Sequence, residues 1–276
     1  MTVVQTQLSK DFDELLEYGK KDLSFQGRHR VLASKRSAES LIARGDIAEG
    51  YYALGLVNAY LNNVREAAEC FKKVYNLNSN DSNCFNYMNS LLENGDIQEA
   101  FDIAKQFIRI NPNNKKIFLH ALDSAVFHFL PEYIEEIDSL FKGERTEEVT
   151  VKISDCKKSL NLKKDLLKKY DVDEKFYQLV SIISNQVIKD FVVSPTYSRI
   201  FESPDKQSLI QEFLVSYLDE DECNEISEIF DDRIKQYLID NFSDNFSDNY
   251  DFMSNIFNLC VVFTSDIGNK KFYQVK

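Results

Sequence analysis

Few residues in this chain are spaced for chemistry. His120 and His128 stand eight apart in the stretch KKIFLHALDSAVFHFL, close to one face of a helix. Metal sites built on a helix want histidines at i,i+3 or i,i+4 with carboxylates beside them. Packed or half-exposed histidines are therefore expected here, as for the third histidine, His29. The five cysteines, Cys70, Cys84, Cys156, Cys223 and Cys260, are odd in number and never form C-x-x-C. That pattern suits neither a disulfide framework nor a zinc knuckle. It predicts reduced thiols, several of them buried as small hydrophobes. Asp240, Asp244 and Asp248 recur every four residues around NFSDNFSDNYD (241–251). A calcium loop needs ligands at alternate residues, a central glycine and a terminal glutamate, so a polar loop or a frayed helix end is expected. No phosphate-loop, dinucleotide, nucleophile-elbow or H-E-x-x-H motif occurs. The eight glycines are scattered, which leaves no loop to cradle a phosphate. No catalytic residue, metal or cofactor is expected, and the chain reads as a non-enzyme.

The elements that would position any site follow from composition. The chain has 276 residues, 33 basic and 45 acidic, a net charge of −12 and an apolar share of 43%. That share supports a packed core. With eight glycines, four prolines and no tryptophan, helices are favoured over turn-dense β structure. The acidic balance argues against nucleic acid as a partner, since phosphate contacts need lysine and arginine. No stretch approaches the ~18 apolar residues of a membrane span, and MTVVQTQLSK has no basic start followed by an apolar core. A cytoplasmic location with no membrane partner is expected.

The N-terminal half repeats itself. Residues 48–81 align with 82–114, and Ala67 and Ala100 match 33 residues apart. Each copy reads as two apolar-striped helices joined by a short polar turn. Gly95 and Asp96 mark the second turn, glycine ending one helix and aspartate capping the next. Asn62 and Asn63 serve the first. Flanking segments 7–20, 29–44, 115–130 and 132–142 read as further helices, the last opened by Pro131. Stacked pairs bury faces that no single pair can bury alone.

Tyr51, Leu54, Gly55, Ala67, Phe71 and Leu77 in the first copy fall on the signature positions of the tetratricopeptide repeats. Gly95, Asp96, Glu99, Ala100, Ile110 and Pro112 do so in the second. The chain therefore resembles that family over 48–114, and loosely over 7–142. Asn58, Ser79 and Met88 depart from the pattern. The resemblance implies a concave groove lined by the first helix of each pair, here Tyr52, Leu56, Tyr60, Phe85, Asn89 and Glu93. Tyr52, Tyr60 and Phe85 are then expected to be more exposed than Tyr51 and Phe71. Tyr52 and Phe85 stand where the family's chaperone-tail clamp wants lysine, and only Asn89 matches it. A partly apolar trough for a helix or an extended peptide is implied instead.

Beyond Gly143 the pattern changes. Residues 143–150 read as a polar boundary, and 152–170 as a helix carrying seven lysines, with Leu160, Leu162, Leu166 and Leu167 as its apolar stripe. Residues 174–191 form an amphipathic helix through Phe176, Leu179, Val180, Ile183, Val187 and Phe191. Residues 207–218 read as a strand, with helix as the alternative. From Asp221 a helix carries Ile226, Phe230, Ile234 and Leu238, with the acids 219–222 at its N-terminus. Residues 256–264 read as a buried strand, and Gly268-Asn269 as a turn before a short edge strand. The order is α-β-β-α-β(β).

The expected fold is mainly α: a tetratricopeptide-like array over 1–142, a linker and lysine-rich helix over 143–173, and a small acidic α+β domain over 174–276. Between residues 201 and 260 fifteen acids face only Lys206, Arg233 and Lys235, a net −12. Glu225, Glu228 and Asp232 turn away from the apolar stripe of their helix and form a candidate acidic face. Two functions fit. One is a scaffold or adaptor that holds a protein or peptide in the groove. The other is an immunity- or antitoxin-like neutraliser whose acidic face covers a basic partner.

Overall fold

The computed structural model describes residues 21–22, 24–192, 197–242 and 258–265. The expected helix at 7–20, the turn at Gly268-Asn269 and most of the acidic repeat at 241–251 lie outside them. Among the described residues there are ten helices and three strands. The chain divides into two compact units: Met1–Leu122 with Glu135–Thr146, and Asp123–Ile134 with Glu147–Lys276.

The first unit is a run of helices: α1 Phe25–Ala43, α2 Ile47–Tyr60, α3 Val64–Leu77, α4 Asp81–Asn94 and α5 Ile97–Ile110. Then follow α6, Lys115–Phe127, and α7, Pro131–Leu140, through which the division between units passes. Consecutive helices pack as pairs, and the close crossings come from small residues. A Cβ at Gly55 would stand 2.7 Å from the Phe71 ring, and one at Gly50 would stand 2.6 Å from Ile42. Ala67 and Ala100, the matched pair of the two copies, are fully buried. Met88 takes the place of Gly55 in the second copy and Ala104 that of Phe71. Both are fully buried, so the large and small partners have changed sides.

The turns share one device. Helices α1, α2, α4 and α6, and α8 described below, each end on a left-handed residue: Gly45, Asn62, Gly95, Phe129 and Asp171. The next residue's N–H reaches back five positions, as in Asp46 to Leu41 (3.0 Å), Asn63 to Asn58 (2.8 Å) and Asp96 to Leu91 (2.9 Å). These paired bonds close the helix C-terminus. Asp96 does not cap α5 with its side chain, in contrast to the sequence expectation. Its Oδ2 accepts from Asn94 Nδ2 at 2.6 Å instead, leaving it turned toward the preceding helix. Phe129 is the unusual member, since a bulky side chain disfavours positive φ. Tertiary packing overrides that preference. The ring is fully buried edge-to-face on Tyr177, 5.7 Å between centroids, and its carbonyl accepts from Gln178 Nε2 at 3.0 Å.

The second unit contains α8, Glu147–Lys169; α9, Glu174–Phe191; β1, Tyr197–Glu202; β2, Leu209–Val215; α10, Glu220–Phe242; and β3, Leu259–Ser265. The polar boundary expected at 143–150 is shortened, because α8 already begins at Glu147. Its buried stripe is Val149, Cys156, Leu160, Lys163 and Leu167. Leu162, expected inside, is 58% exposed, whereas Lys163 is 7% exposed. A one-residue step around the helix exchanges the two. Asp173 caps α9, accepting from Lys175 and Phe176 N–H at 2.8 and 3.0 Å. Asp219 and Glu222 form a reciprocal capping box at the start of α10, at 2.9 and 3.1 Å. The sheet order is β1-β2-β3, with β1 antiparallel to β2 and β2 parallel to β3 across α10. The strand reading of 207–218 therefore holds. Phe230 and Phe213 both lie against Phe263, ring centroids 5.5 Å apart in each case.

Candidate functional site

The residues expected to line a groove lie on α2 and α4, the first helices of two successive pairs. Tyr52, Leu56, Phe85, Asn89 and Glu93 are all half-buried. The structure ties them into a row that continues onto α6. Asn86 Nδ2 donates to the Tyr52 hydroxyl at 3.3 Å, linking α4 to α2. His120 Nε2 and Asn89 Oδ1 share a hydrogen bond of 2.7 Å, linking α6 to α4. The Phe85 ring lies 4.2 Å from the His120 ring, centroid to centroid, with the Lys116 ammonium 5.7 Å from its own centre. Tyr52 packs edge-on against Phe71 at 6.1 Å.

Two expectations need correction. Tyr60 is 5% exposed, because the chain before α1 crosses it: Asp22 N–H donates to its hydroxyl at 2.9 Å and Lys21 sits 5.5 Å over its ring. Burial raises the Tyr60 phenol above its ordinary range. Tyr51 is not a core residue either; it is half-buried, like Tyr52, with the Lys73 ammonium 4.3 Å over its ring.

Asn86 and His120 belong to the row and were missed. Stepping the 33-residue repeat onward from 85–89 lands on 118–122, which was the available signal for His120. Nothing in the composition of α4 singles out Asn86.

The second candidate surface is on α10. Ile226, Phe230, Ile234 and Leu238 are buried, while Glu225, Glu228 and Asp232 are exposed. Lys235 stands 3.8 Å from Asp232, and Arg233 reaches Asp190 on α9 at 2.6 Å. Among the described residues no cluster of three histidine, cysteine or acidic side chains has the arrangement of a metal site. No helix among them is long and apolar enough to cross a membrane. Cys70, Cys84, Cys156 and Cys223 are buried free thiols, and Cys260 is exposed. Burial pushes the Cys84 thiol up to about 12, which makes it unreactive.

The tetratricopeptide repeat family model matches residues 48–81. With the run of consecutive helix pairs around it, the N-terminal region is a tetratricopeptide-like array. No curated protein and no solved structure matches the chain.

Proposed function

We propose that the protein is a protein-interaction module, a scaffold or adaptor without catalysis of its own, that holds a peptide or helix along the row Tyr52–Leu56–Phe85–Asn89. The observation that supports this reading is the linkage of that row across α2, α4 and α6 through Asn86 and His120. A row fixed in this way is half-buried yet preorganised, so ordering it on binding costs little. It offers aromatic faces for apolar side chains, and amide groups that can both donate to and accept from a peptide backbone. The array's repeat match supports the same class of role.

Glu225, Glu228 and Asp232 support a second reading, because they are exposed together on one helix whose opposite face is buried. There the partner is basic and the acidic surface neutralises it. The two readings separate experimentally once a partner has been captured from native lysate and identified by mass spectrometry. In the groove reading, Tyr52→Ala and Phe85→Ala each weaken binding by about 1–2 kcal/mol, and the complex survives high salt. Reversal of Glu225, Glu228 and Asp232 to lysine then leaves affinity unchanged. In the second reading the reversal abolishes capture, the groove variants bind as wild type does, and salt weakens the complex steeply.

A further inference from the structure

Three unfavourable features meet at the turn between α6 and α7, and all of them belong to the second unit. Phe129 holds a left-handed backbone, φ 53°, which strains a bulky residue. His128 beside it is 4% exposed, and among the described residues its Nδ1 finds no hydrogen-bond partner. The buried Lys163 on α8 brings an ammonium against the same turn, donating to Val126 O at 2.9 Å. A strained backbone, an unpartnered imidazole and a buried charge persist together only where the surroundings hold them.

Packing and hydrogen bonds supply that hold. Gln178 on α9 donates to Phe129 O at 3.0 Å, the Phe129 ring lies edge-on to Tyr177, and the Lys163 ammonium sits 5.6 Å over the Tyr177 ring. Within the turn, Leu130 N–H reaches Ala125 O at 2.8 Å and His128 N–H reaches Ser124 O at 3.0 Å. Burial keeps the imidazole neutral, and the Lys163 charge on α8 adds to that effect. Burial also raises the Tyr177 phenol on α9 above its ordinary range, so it stays uncharged and donates to the neutral Gln211 of β2 at 2.6 Å. Cys156, two turns before Lys163 on α8, is likewise a thiol that burial raises. Asp123 on α6 is paired with Lys152 on α8. Among the described residues no carboxylate acts on His128 or on Lys163.

We propose that residues 126–130 are an acid-released latch: protonation of His128 beside the Lys163 ammonium opens this turn locally, while α8, α9 and the sheet stay folded. The closed turn has no answer to a second cation, because the carbonyl at hand, Val126 O, already serves Lys163. In the open form both cations reach water, and Phe129 is relieved of its left-handed backbone. The proton therefore binds the open form in preference, and acid shifts the population toward it. The latch works inside the second unit and does not rest on the groove reading.

The test is native-state hydrogen exchange on the full chain, read by NMR at low urea and corrected for the intrinsic pH dependence of exchange. The open fraction at the His128 and Leu130 amides should rise about 30-fold from pH 7.5 to pH 5, because the closed turn holds the imidazole at about 4 and an open one titrates near 6.5. Local opening exposes little surface, so this exchange should be insensitive to urea below the unfolding transition. Val180 and Ile183 on α9 should instead exchange through a urea-dependent opening. His128→Asn should remove the acid response at Leu130. Lys163→Met, which keeps the stem and removes the second charge, should reduce that response without abolishing it. Turn amides that share the urea dependence of α9, an acid response below about three-fold, or a full response in His128→Asn would each overturn the proposal.

Discussion

The repeats at 48–114 and the sheet-containing unit bury polar groups on different terms. In the repeats the buried polar side chains are Asn58, Asn83 and Ser90, all neutral. Two of them serve the backbone directly: Asn83 Nδ2 donates to Asn78 O at 2.8 Å, and Ser90 Oγ to Tyr87 O at 2.9 Å. Elsewhere the repeat core is a matter of volume, as the exchange of Gly55 and Phe71 for Met88 and Ala104 makes plain. The second unit buries Lys163, His128, Gln211 and Glu212. Glu212 is answered by Arg199 and by the Thr264 hydroxyl at 3.0 Å, and Gln211 accepts from the Tyr177 hydroxyl at 2.6 Å. Lys163 donates to a carbonyl, Val126 O at 2.9 Å, and sits over the Tyr177 ring. Among the described residues His128 Nδ1 finds no hydrogen-bond partner. Shape therefore decides the stability of one region, and protonation enters the stability of the other.

The largest effect is expected where shape decides. Phe71→Ala should cost about 3–5 kcal/mol, since it empties a fully packed ring site. Gly55→Met alone should cost about 1–3 kcal/mol by overpacking against that ring. Together they recreate the pairing of the second copy, Met88 with Ala104. The double variant should recover about 0.5–3 kcal/mol relative to the sum of the single changes. Urea denaturation followed by far-ultraviolet circular dichroism measures all three. Strict additivity would show that the two positions do not share one packing site, and the equivalence of the copies would then fail.

A smaller effect is expected in acid, and only in the second unit. Burial, with the Lys163 charge beside it, depresses His128 to about 4. An unfolded histidine takes up its proton near 6.5. Between those values the unfolded chain binds the proton and the folded unit does not, so stability falls as pH drops from 6.5 to 4. The loss amounts to about 3 kcal/mol when complete. Hydrogen exchange, corrected for its intrinsic pH dependence, should show α9 losing protection over that range while α3 and α4 keep theirs. His128→Asn should flatten the difference. Equal losses in both regions would remove the contrast.

The legibility of the two regions differs for the same reason. The repeat register was readable because close helix crossings demand small residues, and Gly55, Ala67 and Ala100 announce them. The left-handed turns at Gly95 and Asn62 were readable because those residue types tolerate positive φ. The order of strands and helices from 174 to 265 was also readable, from the stripes of α9 and α10 and the β-branched run of β3. Phe129 in the same turn geometry was not readable, since its local preference is overridden by Tyr177 and Gln178. Nor was the burial of Tyr60, which depends on Lys21 and Asp22, 38 residues away in the case of the hydrogen bond. The row linking Tyr52 to His120 was half legible. Periodicity found its first members, but the amide and imidazole bonds that fix it depend on side-chain geometry. Lys163 was misplaced because lysines ordinarily keep the ammonium in water, so Leu162 looked like the better core residue.

That misplaced lysine gives the finest test of the contrast. Burial lowers Lys163 to about 8 from the ordinary 10.5. Below pH 8 both folded and unfolded chains carry the charge, and the folded unit bears the full cost of desolvating it. Between 8 and 10.5 the folded unit is neutral there while the unfolded chain is still protonated, so stability rises with pH. Above 10.5 there is no further gain. Lys163→Met keeps the length of the stem and removes the charge. Replacing buried ions by apolar residues of similar volume has stabilised proteins by about 1–4 kcal/mol. The lost hydrogen bond to Val126 O offsets about 1 kcal/mol of that. A net gain of about 1–2 kcal/mol is expected at pH 7, shrinking as the wild-type curve rises toward pH 10.5. Urea midpoints for the two proteins at pH 7 and pH 10 measure it. If the methionine variant is less stable at pH 7, the Lys163 ammonium holds the C-terminus of α6 more strongly than its burial opposes. The buried charge would then be a clamp on that helix rather than a cost to the fold.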